Sequence, residues 1–500
     1  MNIYFGDLHN HCGITYGFGS LENAIARAKS QLDFAAFTGH AMWPDMYAKA
    51  PETEFVVNFH EVGFEKLRQN WEKIRKTIAE ANTKDFVTFQ GYEIHSRQYG
   101  DHHLVSIDDD LKLVYMDSPG ELVRDCGAEA IAVPHHIGYT PDYRGINWDK
   151  FDEALSPVVE VYSKHGCSMS EDADYPYYHN MGPRDTRNMV DEGLRRGKKF
   201  GFVASTDHHA GFPGSYGDGM AAVAARSLTR ESLWEAIKAR RTYGVTGDRI
   251  LCEFKVNDAW MGSEITANHR RITARIETEG TLNKIVVYKN GKPFHVINGE
   301  SSQEVNREGY YKLRVEMGWG NQNLYRWNGV MTVENGEIES YNTYFRGRSV
   351  LAPSKDETYD ENTINDICTQ SSLDSLRQLS WACDTVGNKS TLHPSTSSFV
   401  VKIKGNLDTK VTVTLNGKTY TALVGELLEY GYTTHMEYYH SQAFKIYKAV
   451  PETKYLFCLD LEDDKPETDC DYYHMEVSQN NRQWAFVSPV FVKKEGEGNV

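Results

Sequence analysis

No Cys-x-x-Cys pair occurs among the eight cysteines, Cys12, Cys126, Cys167, Cys252, Cys368, Cys383, Cys458 and Cys470. Neither a thiolate metal cage nor a dense disulfide framework is expected, and reduced cytosolic thiols are the simplest reading. No apolar run approaches membrane-spanning length, and no basic start with an apolar stretch precedes the first strand. A soluble, cytoplasmic chain with no membrane partner is therefore expected. Clusters of Lys and Arg are missing too: 54 basic residues face 70 acidic ones, a formal net charge of -16. Such a chain repels nucleic-acid phosphates, so no nucleic-acid partner is expected. Small anionic substrates remain open, because bound cations would reverse the local field. The first strand is not followed by a glycine-rich phosphate turn, which argues against a Rossmann nucleotide site. No repeat of fixed period is evident.

What is present is histidine at strand ends. Ile3, Tyr4 and Phe5 read as a buried strand that runs into Asp7-Leu8-His9-Asn10-His11. Spaced i, i+2, His9 and His11 leave the backbone on one face and can share a metal, with Asp7 placed to orient one ring through its second nitrogen. Leu21, Ala24, Ile25, Ala28 and Leu32 mark a helix capped by Ser20. Asp33 to Thr38 then forms a strand ending in Gly39-His40. A helix from about Val62 to Asn82 leads to Phe86–Tyr92, which stops at Glu93. Further strands end in or carry His102-His103, His135-His136, Lys164-His165 and Asp207-His208-His209, with a helix around Asp185 to Arg196 before the last. Thirteen of the nineteen histidines fall within the first 209 residues. Strands alternating with helices, with functional side chains at strand C-termini, predict parallel βα units closed into a barrel.

Parity sorts the candidates. Asp207 and His209 share a face, and His208 points away. His102 and His103 cannot both face inward, and the same holds for His135 and His136 unless the chain is already turning there. Glu93, with two oxygens, can bridge two metals.

In this order, Asp-Leu-His-x-His, His40, Glu93, His103, a Pro-His pair and Thr-Asp-x-His resemble the polymerase-and-histidinol-phosphatase (PHP) superfamily of metal-dependent phosphoesterases. The resemblance covers roughly residues 1 to 255 and includes the closing Tyr243–Ile250. It implies an α/β fold with a distorted (β/α)7 PHP-type barrel over 1–255. It also implies two or three divalent transition-metal ions, Zn, Mn or Fe. His9, His11, Glu93 and Asp207 would hold the first metal. Glu93, His103 and His135, or alternatively His136, would hold the second, and His40 and His209 match ligands of a third. Thr38-Gly39-His40 and Thr15-Tyr16-Gly17 depart from the family pattern, so the third site is weak, empty or completed elsewhere, for example by His60.

Paired cations would lower the pKa of a bridging water and clamp substrate oxygens. The expected function is hydrolysis of a small phosphorylated metabolite, with Asp207, His209 and His165 as catalytic residues and His209 or His165 protonating the leaving group. Lys164, Arg97 and Arg144 lie near strand ends where they could bind phosphate. Glu160 could line the site, while His95, His102, His179 and His208 are read as supporting or exposed. Two alternatives stay open: hydrolysis of a carboxylic ester, amide or lactone, and an inactive carbohydrate-binding or assembly protein. The expected partner is an anionic small molecule, with homo-oligomerisation left open.

Beyond about residue 255 the pattern turns to short strands with Asn290-Gly291 and Asn416-Gly417 turns, predicting a β-sandwich-like domain over 256–500. The stretch 353–392 is polar and poorly patterned, either an irregular insertion or a helical excursion. Tyr430, Tyr432, Tyr438 and Tyr439 could form an aromatic platform, though buried sandwich aromatics are the commoner case.

Overall fold

The computed structural model describes residues 1–175, 181–299, 308–319, 324–348, 350, 367–386, 396–438 and 441–495. The first strand, β1 (Asn2–Asp7), is followed by helix α1 (Leu21–Lys29), which Ser20 caps by accepting the Asn23 amide. β2 (Phe34–Phe37) returns parallel to β1, and a three-residue strand, β3 (His40–Met42), follows it. Helix α2 (Glu54–Ala81) starts earlier than the Val62 expected from the apolar spacing. Val57, His60, Phe64, Leu67, Trp71, Ile74 and Ile78 form its buried stripe. It returns the chain to β4 (Val87–Ile94), parallel to both β2 and β3.

The expected run of parallel units ends there. β5 (His102–Ser106) pairs antiparallel with β4, and β6 (Ala130–Pro134) antiparallel with β5. The connection from β4 to β5 is a short loop, too short for a helical crossover, so the strands must reverse. Helix α3 (Pro119–Asp125) precedes β6. β7 (Val158–Ser163), the two-residue β8 (Gly166–Cys167) and β9 (Gly201–Ala204) form a separate sheet in which β7 and β9 are parallel. This sheet lies beside β6 and β11. The helix expected around Asp185 to Arg196 is a 3₁₀ turn, Thr186–Asn188, followed by α4 (Val190–Arg195). β10 (Met220–Ala225), α5 (Arg230–Lys238) and β11 (Thr242–Val245) complete this part, with β10 antiparallel to both β1 and β11.

Sheet pairing crosses position 255. β11 pairs with Trp484–Lys493, Tyr243 opposite Val487, and the sheet continues through Cys470–Gln479 and Leu282–Lys289 to Lys292–Asn298. One apolar core accordingly runs from Phe5 and Trp71 to Val477 and Val487. A second core lies between a six-stranded sheet containing Glu308–Trp319 and a five-stranded sheet containing Tyr325–Glu334. Leu313, Val315, Trp327 and Met331 meet in it. Of the polar stretch 353–392, residues 353–366 and 387–392 lie outside the described residues. Between them Thr369–Ser375 and Gln378–Thr385 pair as a hairpin rather than a helix. Asn290 and Gly291 adopt φ of 51° and 74°, and Asn416 and Gly417 44° and 85°, the left-handed pair that a two-residue turn requires. Tyr430 and Tyr438 are exposed, whereas Tyr432 stacks on Tyr420; Tyr439 lies outside the described residues. Among the described residues, no helix is long and apolar enough to cross a membrane.

Candidate metal centre

Strand register brings the ligands together. His40 stands beside Glu93 across the parallel β3–β4 pair, and His103 faces Glu93 across the antiparallel β4–β5 pair. The β1 exit is stitched to the segment after β9: the Asp207 amide donates to the His9 carbonyl (2.8 Å) and the His11 amide to the His208 carbonyl (2.9 Å). His9 and His11 thus face Asp207.

Two buried carboxylates organise the cluster. Glu93 Oε2 lies 3.0 Å from His40 Nε2 and 3.3 Å from His11 Nε2, while its Oε1 lies 3.0 Å from His135 Nε2. Asp207 Oδ1 lies 3.1 Å from His11 Nε2 and 3.5 Å from His9 Nε2; its Oδ2 lies 2.9 Å from His165 Nε2 and 3.6 Å from His136 Nε2. His103 stacks on His9 with ring centroids 4.5 Å apart. Both Glu93 oxygens, and both ring nitrogens of His103 and His135, are buried without a hydrogen bond in good geometry. Oxygen and nitrogen at 3.0 Å without an aligned hydrogen is what lone pairs converging on a common cation produce. Ligand atoms of several groups come within mutual reach of one ion, among them His9, His11 and Glu93; His9, His135 and Asp207; and His11, His40 and His209.

The charge states agree with that use. Burial works against ionisation of Glu93, but His40, His95 and His135 hold it well below the usual carboxylate range. Burial likewise opposes the charge on Asp207, and Lys164 and its histidine partners keep its carboxyl low. Burial lowers His9 to about 4 and pushes His40, His103, His136 and His209 well down, leaving neutral imidazoles. His135 goes the other way, raised against burial to about 9 by Glu93. Ionised carboxylates among these neutral imidazoles form a donor set for Zn, Mn or Fe, which His135 would join by giving up its proton.

Several expectations change. Asp7 does not orient a ring: its carboxylate accepts from the amides of His9, Thr206 and Gly214 and from Thr206 Oγ1 (2.6 Å). The His9 ring is held instead by Thr38 Oγ1, 2.8 Å from Nδ1. The choice between His135 and His136 dissolves, because His136 takes φ 55° and turns the chain so that one imidazole meets Glu93 and the other approaches Asp207. Asp207, with φ 49°, is likewise left-handed, a conformation uncommon outside glycine.

Lys164 is buried at the cluster, its Nζ 2.6 Å from His209 Nδ1. Arg144 is half-buried and engaged with Asp101 (2.8 Å) and His95 (3.2 Å). Arg97 lies over the Tyr47 ring and donates to the Asp142 carbonyl. His60 sits on α2, bonded to the Val56 carbonyl and packed on Trp43 and Tyr16. His102 turns to the Gly100 carbonyl, and His208 accepts the Ala210 amide. Glu160 is buried, and burial holds its carboxyl well above the usual range. His179 lies outside the described residues.

His95, Asp101 and Tyr16 were not singled out as site residues. His95 Nδ1 lies 3.4 Å from Glu93 Oε1 and 3.1 Å from Asp101 Oδ2, and its Nε2 lies 3.3 Å from Tyr16 Oη. Parity could have found the first two, since His95 shares a face with Glu93, and Asp101 with His103. Tyr16 stacks on His40 at 3.9 Å and fits against Gly63, where a Cβ would stand 2.5 Å from its ring.

No protein-family model matches the chain. It is similar to uncharacterised proteins of Chlamydia pneumoniae (27% identity over 260 residues, 46% of this chain and 41% of that one) and Chlamydia trachomatis serovar D (26% over 259 residues, 46% and 41%). The chain thus spans about two fifths of the length of the relatives it matches. Among solved structures, it shares 15% identity at a TM-score of 0.29 with a two-domain protein of Bacteroides vulgatus containing a predicted PHP-like metal-dependent phosphoesterase. That likeness covers 59% of this chain and 85% of the other, and its TM-score is too low to assign a fold.

Proposed function

We propose that this chain is a metal-dependent hydrolase acting on a small phosphorylated metabolite, with a PHP-type (β/α)7 barrel over 1–255 and a β-sandwich-like region over 256–500. The observation that carries the reading is the convergence of Glu93 and Asp207 with His9, His11, His40, His135 and His165 at 2.9–3.5 Å. His9, His11, Glu93 and Asp207 would hold one metal and Glu93, His103 and His135 a second, with His136 close enough to Asp207 to share in the cage. His40 and His209 would contribute to a third, with Tyr16 stacked on His40 as its wall. Bound Zn, Mn or Fe would supply Lewis acidity toward water and neutralise charge on the substrate oxygens.

The rest is done by the chain. Glu93 and Asp207, buried and ionised, keep the cage electronegative, and Thr38 fixes the His9 ring so that Nε2 faces them. The Lys164 ammonium gives an anionic oxygen a fixed partner. His165 Nε2, beside Asp207 Oδ2, is placed to deliver a proton to a leaving alkoxide. The surrounding strands bury every one of these groups, which keeps their charges unscreened.

The test is a panel of p-nitrophenyl phosphate, its bis-diester and carboxyl esters, assayed with Mn, Zn or Fe against His9→Ala and Asp207→Ala controls. Metal-dependent turnover of a phosphate ester, lost in both controls, is expected. Turnover of a carboxyl ester alone would replace this reading with the carboxyl-hydrolase one.

A further inference from the structure

A segment of the second half reaches the ligand cluster. Leaving strand Glu337–Tyr344, the chain runs along the loop that begins at His208 and His209. The Phe345 amide donates to Gln31 Oε1 (3.0 Å), and its carbonyl accepts the Tyr216 amide (2.9 Å). The Gly347 amide donates to Ser215 Oγ (3.2 Å). A Cβ on Gly347 would stand 2.6 Å from Phe212 Cβ and 2.8 Å from His208 Cε1, so the backbone passes where a larger residue would displace it. Val350 is buried with Ala210, the residue after His209, and Phe18 packs on them. The Val350 carbonyl accepts from Lys164 Nζ (2.9 Å), the same nitrogen that lies 2.6 Å from His209 Nδ1.

We propose that this strap belongs to the active site: the Val350 carbonyl is a positioning group that holds the Lys164 ammonium where it binds an anionic oxygen of the substrate. The inference rests on the proposed phosphoester chemistry. A lysine head group on a flexible four-carbon stem is a poorly directed donor unless something fixes it. Here the anchor that serves alongside a bound metal is a carbonyl nearly two hundred residues away, supplied by the second half of the chain, because the one lone pair of a neutral His209 ring cannot hold both the ammonium and an ion. Ordering the amine before substrate arrives removes that cost from binding. The second half would then complete the site rather than merely adjoin it.

Orthophosphate is the probe, titrated calorimetrically into the full-length, metal-loaded protein, with metal content and melting temperature measured on each variant. Lys164→Met is expected to weaken phosphate about tenfold or more, the scale of losing a hydrogen bond to a charged group. Gly347→Ala and Val350→Ala shift or loosen the strap, and Ser215→Ala removes one of its hydrogen bonds. Each is expected to weaken phosphate by a smaller factor, with native metal content. In a Lys164→Met background the same strap changes are expected to add nothing, because the group they position is gone.

Equal losses with and without Lys164 would overturn the inference, since the strap would then act on the site by some other route. Unchanged affinity in Lys164→Met, or in both Val350→Ala and Ser215→Ala, would overturn it as well. Ser215→Ala carries the test if Gly347→Ala fails to fold. If the wild type binds no phosphate, the proposed function and this inference fall together; if it binds and the strap variants are indifferent, only the inference falls.

Discussion

Thr38 Oγ1 lies 2.8 Å from His9 Nδ1, and the opposite nitrogen of that ring, Nε2, faces Asp207 and Glu93. A hydroxyl on β2's exit therefore sets the ring angle of a ligand on β1's exit. The same hydroxyl accepts the Asn10 amide at 3.2 Å, which ties the two exits together.

Thr38→Val keeps the shape and removes the hydroxyl. Its metal affinity is expected to fall by about 10- to 100-fold, as for other partners that orient a ligand from behind. Competition with a chromogenic chelator reads it, and an unchanged affinity would show that packing alone aims the ring.

Glu93→Gln retains volume but withdraws the charge that both proposed metals share. Its loss of bound metal and of turnover is expected to exceed the roughly 10- to 100-fold of an outer partner. Elemental analysis after dialysis is the measurement. Native metal content in this variant would remove Glu93 from the cage.

Arg314 Nη2 lies 2.6 Å from Asp248 Oδ1, both buried, where strand Glu308–Trp319 meets the loop after β11. Tyr216, Gln479 and Asn481 also donate to Asp248. Arg314→Met leaves that carboxylate without its cation and is expected to cost about 3–5 kcal/mol in urea denaturation.

Burial pushes the Glu476 carboxyl up from 4.5 to about 7, with Tyr288 opposing and Asp174 adding to the shift. Between about pH 4.5 and pH 7 the folded chain keeps a proton there that the unfolded chain has released, so this group lowers stability as pH rises through that window. Glu476→Gln is expected to match wild type near pH 4.5 and exceed it near pH 8 by a few kcal/mol at most, at about 1.4 kcal/mol per pH unit. Denaturation at the two pH values checks it; a gain of equal size at both would trace the effect to packing.

Local pattern alone determined much of this protein. The i, i+2 spacing of His9/His11 and Asp207/His209 marked these residues, although all four stand beyond the ends of β1 and β9, where strand alternation no longer sets the faces. The Asn290-Gly291 and Asn416-Gly417 turns declared themselves because few other residue pairs accept two consecutive positive φ values. The long apolar spacing from Leu67 to Ile78 marked α2, though not its start at Glu54. Only the tertiary structure decided the rest. That both His135 and His136 reach the carboxylates turned on a single left-handed residue, which no periodicity encodes. Asp7 was drawn from the rings to the amides of Thr206 and Gly214, donors two hundred residues distant that the folded backbone had to pair. The Val350 carbonyl met Lys164 for the same reason. A backbone group carries no sequence signal of its own, so its partner is settled by where the chain packs.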